Sequence, residues 1–309
     1  MATAVVLAAG RGTRLLPLTG EVPKPALPLL DVPLIVYALA PLMEIGMRVV
    51  VNVSHLGREL RSVLAGWADG GYEVLDEGPE PWGTAGTVAA VGARIDDDVL
   101  LVRNSDLLSD VAAMELLAAH ERSGALATLA VAEVTSGADL VEVDGRIAFI
   151  DRRHDPGRAG LLYIGMCALS RAALDLVPDA RPAGLAETVF RTLVERNALA
   201  VHKHHGYAAD VGTPGRYLGA CVDIIDGRIG VPVVLPGTIV DTEGGRAYIG
   251  PRAIVGTDSL GPGAVICAGA TVGAGACVQR ALVWPGDEVP GGTSVENAIW
   301  YRGASIPAT

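Results

Sequence analysis

The chain has 309 residues, half of them hydrophobic and 4% aromatic, with 24 Lys and Arg against 35 Asp and Glu for a net charge of −11. That length suits one large domain with a smaller companion. The acidic balance argues against an extended nucleic-acid surface, which needs clustered Lys and Arg, and no run approaches the ~20 apolar residues that span a bilayer.

In chain order, an apolar strand is expected at residues 4–7, and it runs directly into Ala8-Ala9-Gly10-Arg11-Gly12-Thr13-Arg14. Gly10 and Gly12 allow backbone amides to approach an anion, since no Cβ intervenes and positive φ is cheap. Arg14 and Lys24 can neutralise the charge of such an anion. Pro23 and Pro25 stiffen the backbone on either side of Lys24. The pattern is not a dinucleotide fingerprint, because Leu15 stands at the third glycine position, nor a Walker loop, which needs G-x-x-x-x-G-K-[ST]. The reading is a nucleoside triphosphate site. Residues 3–9 are too short for a secretory leader and lead straight into this loop, so a cytoplasmic location is expected.

Further strands are expected at 48–53, 72–75 and 99–102, alternating with helices at 33–45, 56–68, 84–93 and 111–123. Strands separated by helices imply parallel crossovers and an α/β, doubly wound mixed sheet. Ligands in such sheets sit beyond the carboxyl ends of the strands. Strands linked by turns follow at 127–133, 140–143, 146–150 and 161–169, with Asp144-Gly145 as a hairpin signal. Helical patterns return at 186–196 and 214–226. His202, His204 and His205 have a strand-like spacing that favours a structural role. Cys167, Cys221, Cys267 and Cys277 lack C-x-x-C spacing and are expected as reduced, packed thiols.

From about Gly230 the composition turns to Gly, Ala and Val. Ile249, Val255, Leu260, Ile266, Val272 and Val278 recur every five or six residues, with Ala253, Ser259, Ala264, Ala270 and Ala276 in step. This resembles the hexapeptide repeat of the left-handed parallel β-helix, of about two coils, which needs capping or a partner. A domain division at 1–227 and 228–309 is expected, with the tail capping the catalytic domain and supporting a homo-oligomer. Many hexapeptide β-helices are acyltransferases with a histidine base, but the last histidine here is His205, which argues against acyl transfer by the tail.

The string from Leu7 to Thr19, with Pro23-Lys24-Pro25-Ala26-Leu27-Pro28, resembles the sugar-1-phosphate nucleotidylyltransferase family, with Leu16 where many members carry a second basic residue. The resemblance implies that Gly10, Gly12 and Thr13 wrap the triphosphate and that Leu7 and Ala8 also bind the nucleotide. It implies further that Arg14 binds the leaving pyrophosphate and that Lys24 contacts the phosphates. Asn104-Ser105-Asp106 is similar to the family's N-G-D and Asp210-Val211-Gly212-Thr213-Pro214 to its D-[IV]-G-T-P, which implies Asp106 and Asp210 as ligands of Mg²⁺. Gly83-Thr84-Ala85-Gly86 resembles the segment beside the base, with Glu77 or Glu80 as acceptor from a base edge. On the acceptor side Asn104, Gly165 and Glu187 are implied, with Arg152 in place of the lysine that holds the sugar phosphate. The wording is closest to guanylyl-transferring relatives, so GTP and a mannose-1-phosphate-like acceptor are expected, in a soluble enzyme. A heptose, other hexose or cyclitol phosphate with another base, and an inactive nucleotide-sugar-binding regulatory subunit, stand as alternatives.

Overall fold

A computed structural model describes residues 2–67, 70–150, 157–256 and 259–308; Arg152 lies outside the described residues. The chain forms two compact units, and they do not follow sequence order. One comprises residues 1–10 and 38–208, the other residues 11–37 and 209–309.

The first unit is built on nine strands: β1 (Thr3–Leu7), β2 (Arg48–Val53), β3 (Tyr72–Asp76), β4 (Val99–Asn104), β5 (Ala127–Val134), β6 (Leu140–Val143), β7 (Arg146–Ile150), β8 (Gly160–Ser170) and β9 (Leu199–Lys203). Their order across the sheet is β3-β2-β1-β4-β8-β5-β9-β7-β6. The β1–β4 portion is parallel, as its crossover helices require: α1 (Leu34–Glu44), α2 (Gly57–Trp67) and α3 (Gly83–Gly92). Beyond β4 the long β8 runs antiparallel to both β4 and β5, so the sheet is mixed. A further helix, α4 (Ala113–Ser123), precedes β5. Val5, Val50, Val102, Leu129 and Cys167 from alternate strand positions pack with Ala85, Val88 and Val91 of α3 in one fully buried core. Period-2 alternation in the strands and small residues on the helix give this close helix-on-sheet packing. Helices 34–44, 57–67, 83–92 and 113–123 fall within two residues of their expected spans. The expected helix at 186–196 differs: it opens with a π-turn, Ala186–Phe190, before an α-helical Arg191–Glu195.

The second unit combines the segment 11–37 with α5 (Pro214–Ile225) and the C-terminal repeats. The repeats form short parallel ladders with a step of 17 residues. Tyr248 pairs with Val265, which stands opposite Leu282 and then Ile299; Ile254 leads to Thr271 and Glu288 in a second ladder; Cys277 pairs with Ser294 in a third. The aliphatic positions Ile266, Val272 and Val278, with Ala264, Ala270 and Ala276, occupy a common core, and the same phase continues through Val283, Val289 and Val295. The repeat is therefore longer than the sequence reading placed it. Antiparallel strands extend the main ladder at both ends, Thr238–Thr242 on Gly245–Ile249 and Ala304–Pro307 on Ala298–Tyr301, covering the outermost parallel strands. Cys167, Cys221 and Cys267 are buried free thiols and Cys277 is exposed; burial pushes Cys167 and Cys221 up to about 12.

Candidate active site

In the second unit the glycine loop and the P-K-P segment meet directly. Gly12 is left-handed at φ 63 and leads into a short turn at Thr13–Leu15. A Cβ there would lie 2.9 Å from Lys24 Cβ and 3.1 Å from Thr19 Cγ2, so the position needs glycine on both counts. Thr19 Oγ1 donates to the Gly12 carbonyl at 2.9 Å. Lys24, 7% exposed, begins a turn that Leu27 N closes on the Lys24 carbonyl at 3.1 Å. Its Nζ lies 4.0 Å from Asp210 Oδ1. Arg216 Nη1 donates to Asp210 Oδ2 at 2.5 Å. A Cβ on Gly212 would sit 2.7 Å from Asp210 Oδ1 and 2.8 Å from Arg14 Nη2, which puts the Arg14 guanidinium and the Asp210 carboxylate against the same backbone. Thr213 caps α5 by accepting from Arg216 N at 3.3 Å. Arg14, Lys24 and Arg216 thus surround one carboxylate at the amino end of a helix, an excess of positive charge suited to a polyanion. Arg216 escaped the sequence reading. Its signal was its position on the first turn of a Thr-capped helix, which turns a long side chain back toward Asp210.

In the first unit, Leu7 and Asn104 are register partners at the carboxyl ends of β1 and β4. Ser105, where the resembling family has glycine, donates from both N (3.1 Å) and Oγ (2.7 Å) to the Leu7 carbonyl. That tie fixes the turn carrying Asp106. A cavity of about 210 Å³ opens here, with Leu7, Thr84, Asn104 and Glu187 on its walls beside Asp139, Leu140, Tyr163 and Phe190. Gly165, φ 69, backs Asn104: a Cβ would lie 3.1 Å from Asn104 Nδ2. Thr84 Oγ1 accepts from Leu185 N at 2.8 Å, and the Tyr163 and Phe190 rings meet edge to face at 6.1 Å. Asp139 and Phe190 were not singled out from sequence.

Glu77 is 5% exposed and its carboxylate is spoken for. Oε1 accepts from Asn52 Nδ2 at 2.8 Å and from the Thr87 hydroxyl, and Oε2 accepts from Trp82 N at 2.8 Å. Asn52 Oδ1 accepts from Ala8 N at 2.6 Å. One buried, satisfied network therefore joins the residue after β1, the strand β2, the residue after β3 and the start of α3. Asn52 also escaped the sequence reading, although a polar residue inside Arg48-Val49-Val50-Val51-Asn52-Val53 was visible.

Residues 3–139 match the family model described as Nucleotidyl transferase. The chain is 27% identical over 280 residues to the mannose-1-phosphate guanylyltransferase of Mycobacterium tuberculosis, covering 86% of this chain and 73% of that one. It is 29% identical over 267 residues to the mannose-1-phosphate guanylyltransferase catalytic subunit beta of Danio rerio, covering 82% and 72%. A Bacillus anthracis crystal structure assigned as a glucose-1-phosphate thymidylyltransferase, with sucrose, aligns at a TM-score of 0.62 and 16% identity over 75% of this chain and 98% of that chain, a likeness of fold. With the signature loop and its lysine in place, the chain carries a nucleotidyl transferase match over residues 3–139 and is similar over most of its length to mannose-1-phosphate guanylyltransferases.

Proposed function

We propose that the protein transfers a nucleotidyl group, with GTP favoured, to a mannose-1-phosphate-like acceptor, giving a nucleotide-sugar and pyrophosphate. The observation that carries this reading is the gathering of Arg14, Lys24 and Asp210 around the glycine loop; the names of the relatives support the base and the sugar. Gly10, Gly12 and Thr13 hold the triphosphate, and Arg14 and Lys24 take up the charge that grows on the leaving pyrophosphate. Leu7, Ala8, Gly83 and Thr84 border the nucleoside, and Glu77 serves that side through the amides it and Asn52 hold in place. Asn104, Gly165, Glu187 and Arg152 form the acceptor side.

The acceptor phosphate is largely dianionic at neutral pH. Its oxygen attacks the α-phosphorus in line while the bond to pyrophosphate breaks, so the enzyme contributes position and charge rather than a covalent intermediate. Asp106 and Asp210 would hold Mg²⁺, which supplies charge neutralisation on the phosphates when bound. Carboxylate oxygens suit Mg²⁺, which is typically held by one or two carboxylates with phosphate oxygens and water.

We read the 17-residue ladders as coils of a left-handed β-helix, spanning the expected 228–309 domain and joining copies of the chain into a homo-oligomer. No helix is long and apolar enough to cross a membrane among the described residues; the cytoplasm suits the substrates. The test is a pyrophosphate-release matrix of five nucleoside triphosphates against sugar and cyclitol phosphates. Release with GTP and mannose-1-phosphate above the other pairs supports the reading. A heptose or cyclitol phosphate in front moves the acceptor, and nucleotide-sugar binding with no release across the matrix replaces the enzyme with a regulatory subunit.

A further inference from the structure

The segment that follows Lys24 is held in an unusual way. Pro28–Leu29 and Val32–Pro33 pair as a minimal hairpin whose two turn residues, Leu30 (φ 51) and Asp31 (φ 62), are both left-handed without being glycine. A two-residue turn of this kind ordinarily carries Asn-Gly or Asp-Gly. Here three consecutive carbonyls each accept from a tyrosine hydroxyl: Pro28 from Tyr217 of α5, Leu29 from Tyr37 of α1 at 2.6 Å, and Leu30 from Tyr248 of the first repeat at 3.1 Å. Asp31 adds a tie of its own by accepting from Ala268 N at 2.9 Å, and its other carboxylate oxygen, also 3.1 Å from the Tyr248 hydroxyl, shares that hydroxyl's single proton with the Leu30 carbonyl. A Cβ on Gly250 would collide with Asp31 Oδ2, so the repeat has a glycine-shaped seat for this carboxylate. Leu27, Leu29, Leu30 and Val32 have no exposed surface. Leu34 N bonds back to the Leu27 carbonyl at 2.9 Å, closing the hairpin just after the Lys24 turn.

We propose that Tyr248 and Asp31 are positioning residues for Lys24: the first coils of the C-terminal repeat hold the lysine-bearing loop in its triphosphate-binding shape. A turn whose own sequence disfavours its backbone conformation relies on outside partners to keep it, and those partners come from the repeat. The surface pair of Arg302 with Glu21, at 2.5 and 3.1 Å, adds a further, solvent-screened tie from the end of the chain to the same segment. The inference rests on the nucleotidyl-transfer reading for its kinetic arm only.

The test compares Tyr248→Phe, which removes one hydroxyl and keeps the ring, with Asp31→Ala and Asp31→Asn, the last retaining an acceptor for Ala268 N. Amide hydrogen exchange across residues 22–34 is read without substrate, and pyrophosphate release is read against triphosphate and against sugar phosphate. Expected are faster exchange confined to 22–34 in Tyr248→Phe and Asp31→Ala, and a loss of about tenfold in kcat/KM for the triphosphate, the weight of one buried hydrogen bond. The acceptor KM should stay unchanged, and Asp31→Asn should recover most of the loss. Unchanged exchange at 22–34 overturns the proposal, and so does faster exchange throughout the repeat with both substrates affected alike. Absence of pyrophosphate release in the unaltered protein overturns the activity instead, and the exchange arm still decides the positioning role.

Discussion

Lys24 is a cation whose usefulness comes from being nearly buried: its stem lies along Gly12 and its ammonium reaches toward Asp210. In a site where water is sparse, a fixed positive charge on a developing anion is worth far more than in solvent. Lys24→Ala should lower pyrophosphate release by about 10²–10³-fold while circular dichroism and the thermal midpoint stay near those of the unaltered protein. The Asn52–Glu77 network behaves differently, because losing one member strands the others away from water. Asn52→Ala should cost about 1–3 kcal/mol of stability, measured by denaturant unfolding, and loosen the Ala8 amide. His120 provides a pH-dependent counterpart. It is buried between Thr128 Oγ1 (2.9 Å) and Ser170 Oγ (3.0 Å), and burial depresses its pKa below the ordinary 6.5. The folded state therefore binds this proton less readily than the unfolded chain. Stability from the neutral ring is present above 6.5 and is lost as pH falls toward the folded pKa. Unfolding free energy measured between pH 7 and 5 should decline, and His120→Gln should flatten that decline. A slope unaltered by the substitution would contradict the assignment. Lys24, Arg14 and Asp210 were legible in the sequence because each sits in a contiguous phrase. Asn52 and Arg216 were not, since their partners are set by strand register and by a helix cap rather than by neighbours in sequence.

At the scale of elements, the strand-end turns do the positioning. β4 ends at Asn104, Ser105 ties the turn to Leu7, and Gly165 in β8 gives the Asn104 side chain room. Gly165→Ala would press a methyl toward Asn104 at a left-handed φ. The expected result is a rise in the acceptor KM of about tenfold with little change in the triphosphate KM, consistent with misplacement of a binding side chain; equal changes in both would contradict the assignment of Asn104 to the acceptor side. Helices and strands of the first unit were legible because periods of 3.6 and 2 are written into apolar spacing. The Leu30–Asp31 turn was not, because local propensity points to Asn-Gly and tertiary hydrogen bonds override it. The π-turn at Ala186–Phe190 was also hidden. Its backbone is pinned from outside where Thr84 Oγ1 accepts from Leu185 N, and locally where the Gly184 carbonyl accepts from the Thr188 hydroxyl at 2.6 Å.

For the whole molecule, the composition change near Gly230 was visible, but it does not mark where compactness divides the chain. The signature segment 11–37 packs with the repeats, and residues 38–208 with the first strand. A repeat that reads as a separable tail is thus bound to the loop that carries the lysine. Deleting residues 238–308 should lower pyrophosphate release together with oligomer mass, followed by light scattering; full activity in the shortened chain would contradict this integration. The central proposal is that Asp106 and Asp210 are both required for Mg²⁺-dependent nucleotidyl transfer. Its most direct test is a Mg²⁺ titration of pyrophosphate release by the unaltered protein, Asp106→Asn, Asp210→Asn and the double variant. The account predicts that either single substitution abolishes most of the Mg²⁺-stimulated rate and that the double is scarcely worse than either. Near-normal, Mg²⁺-saturable turnover in both single variants would contradict it.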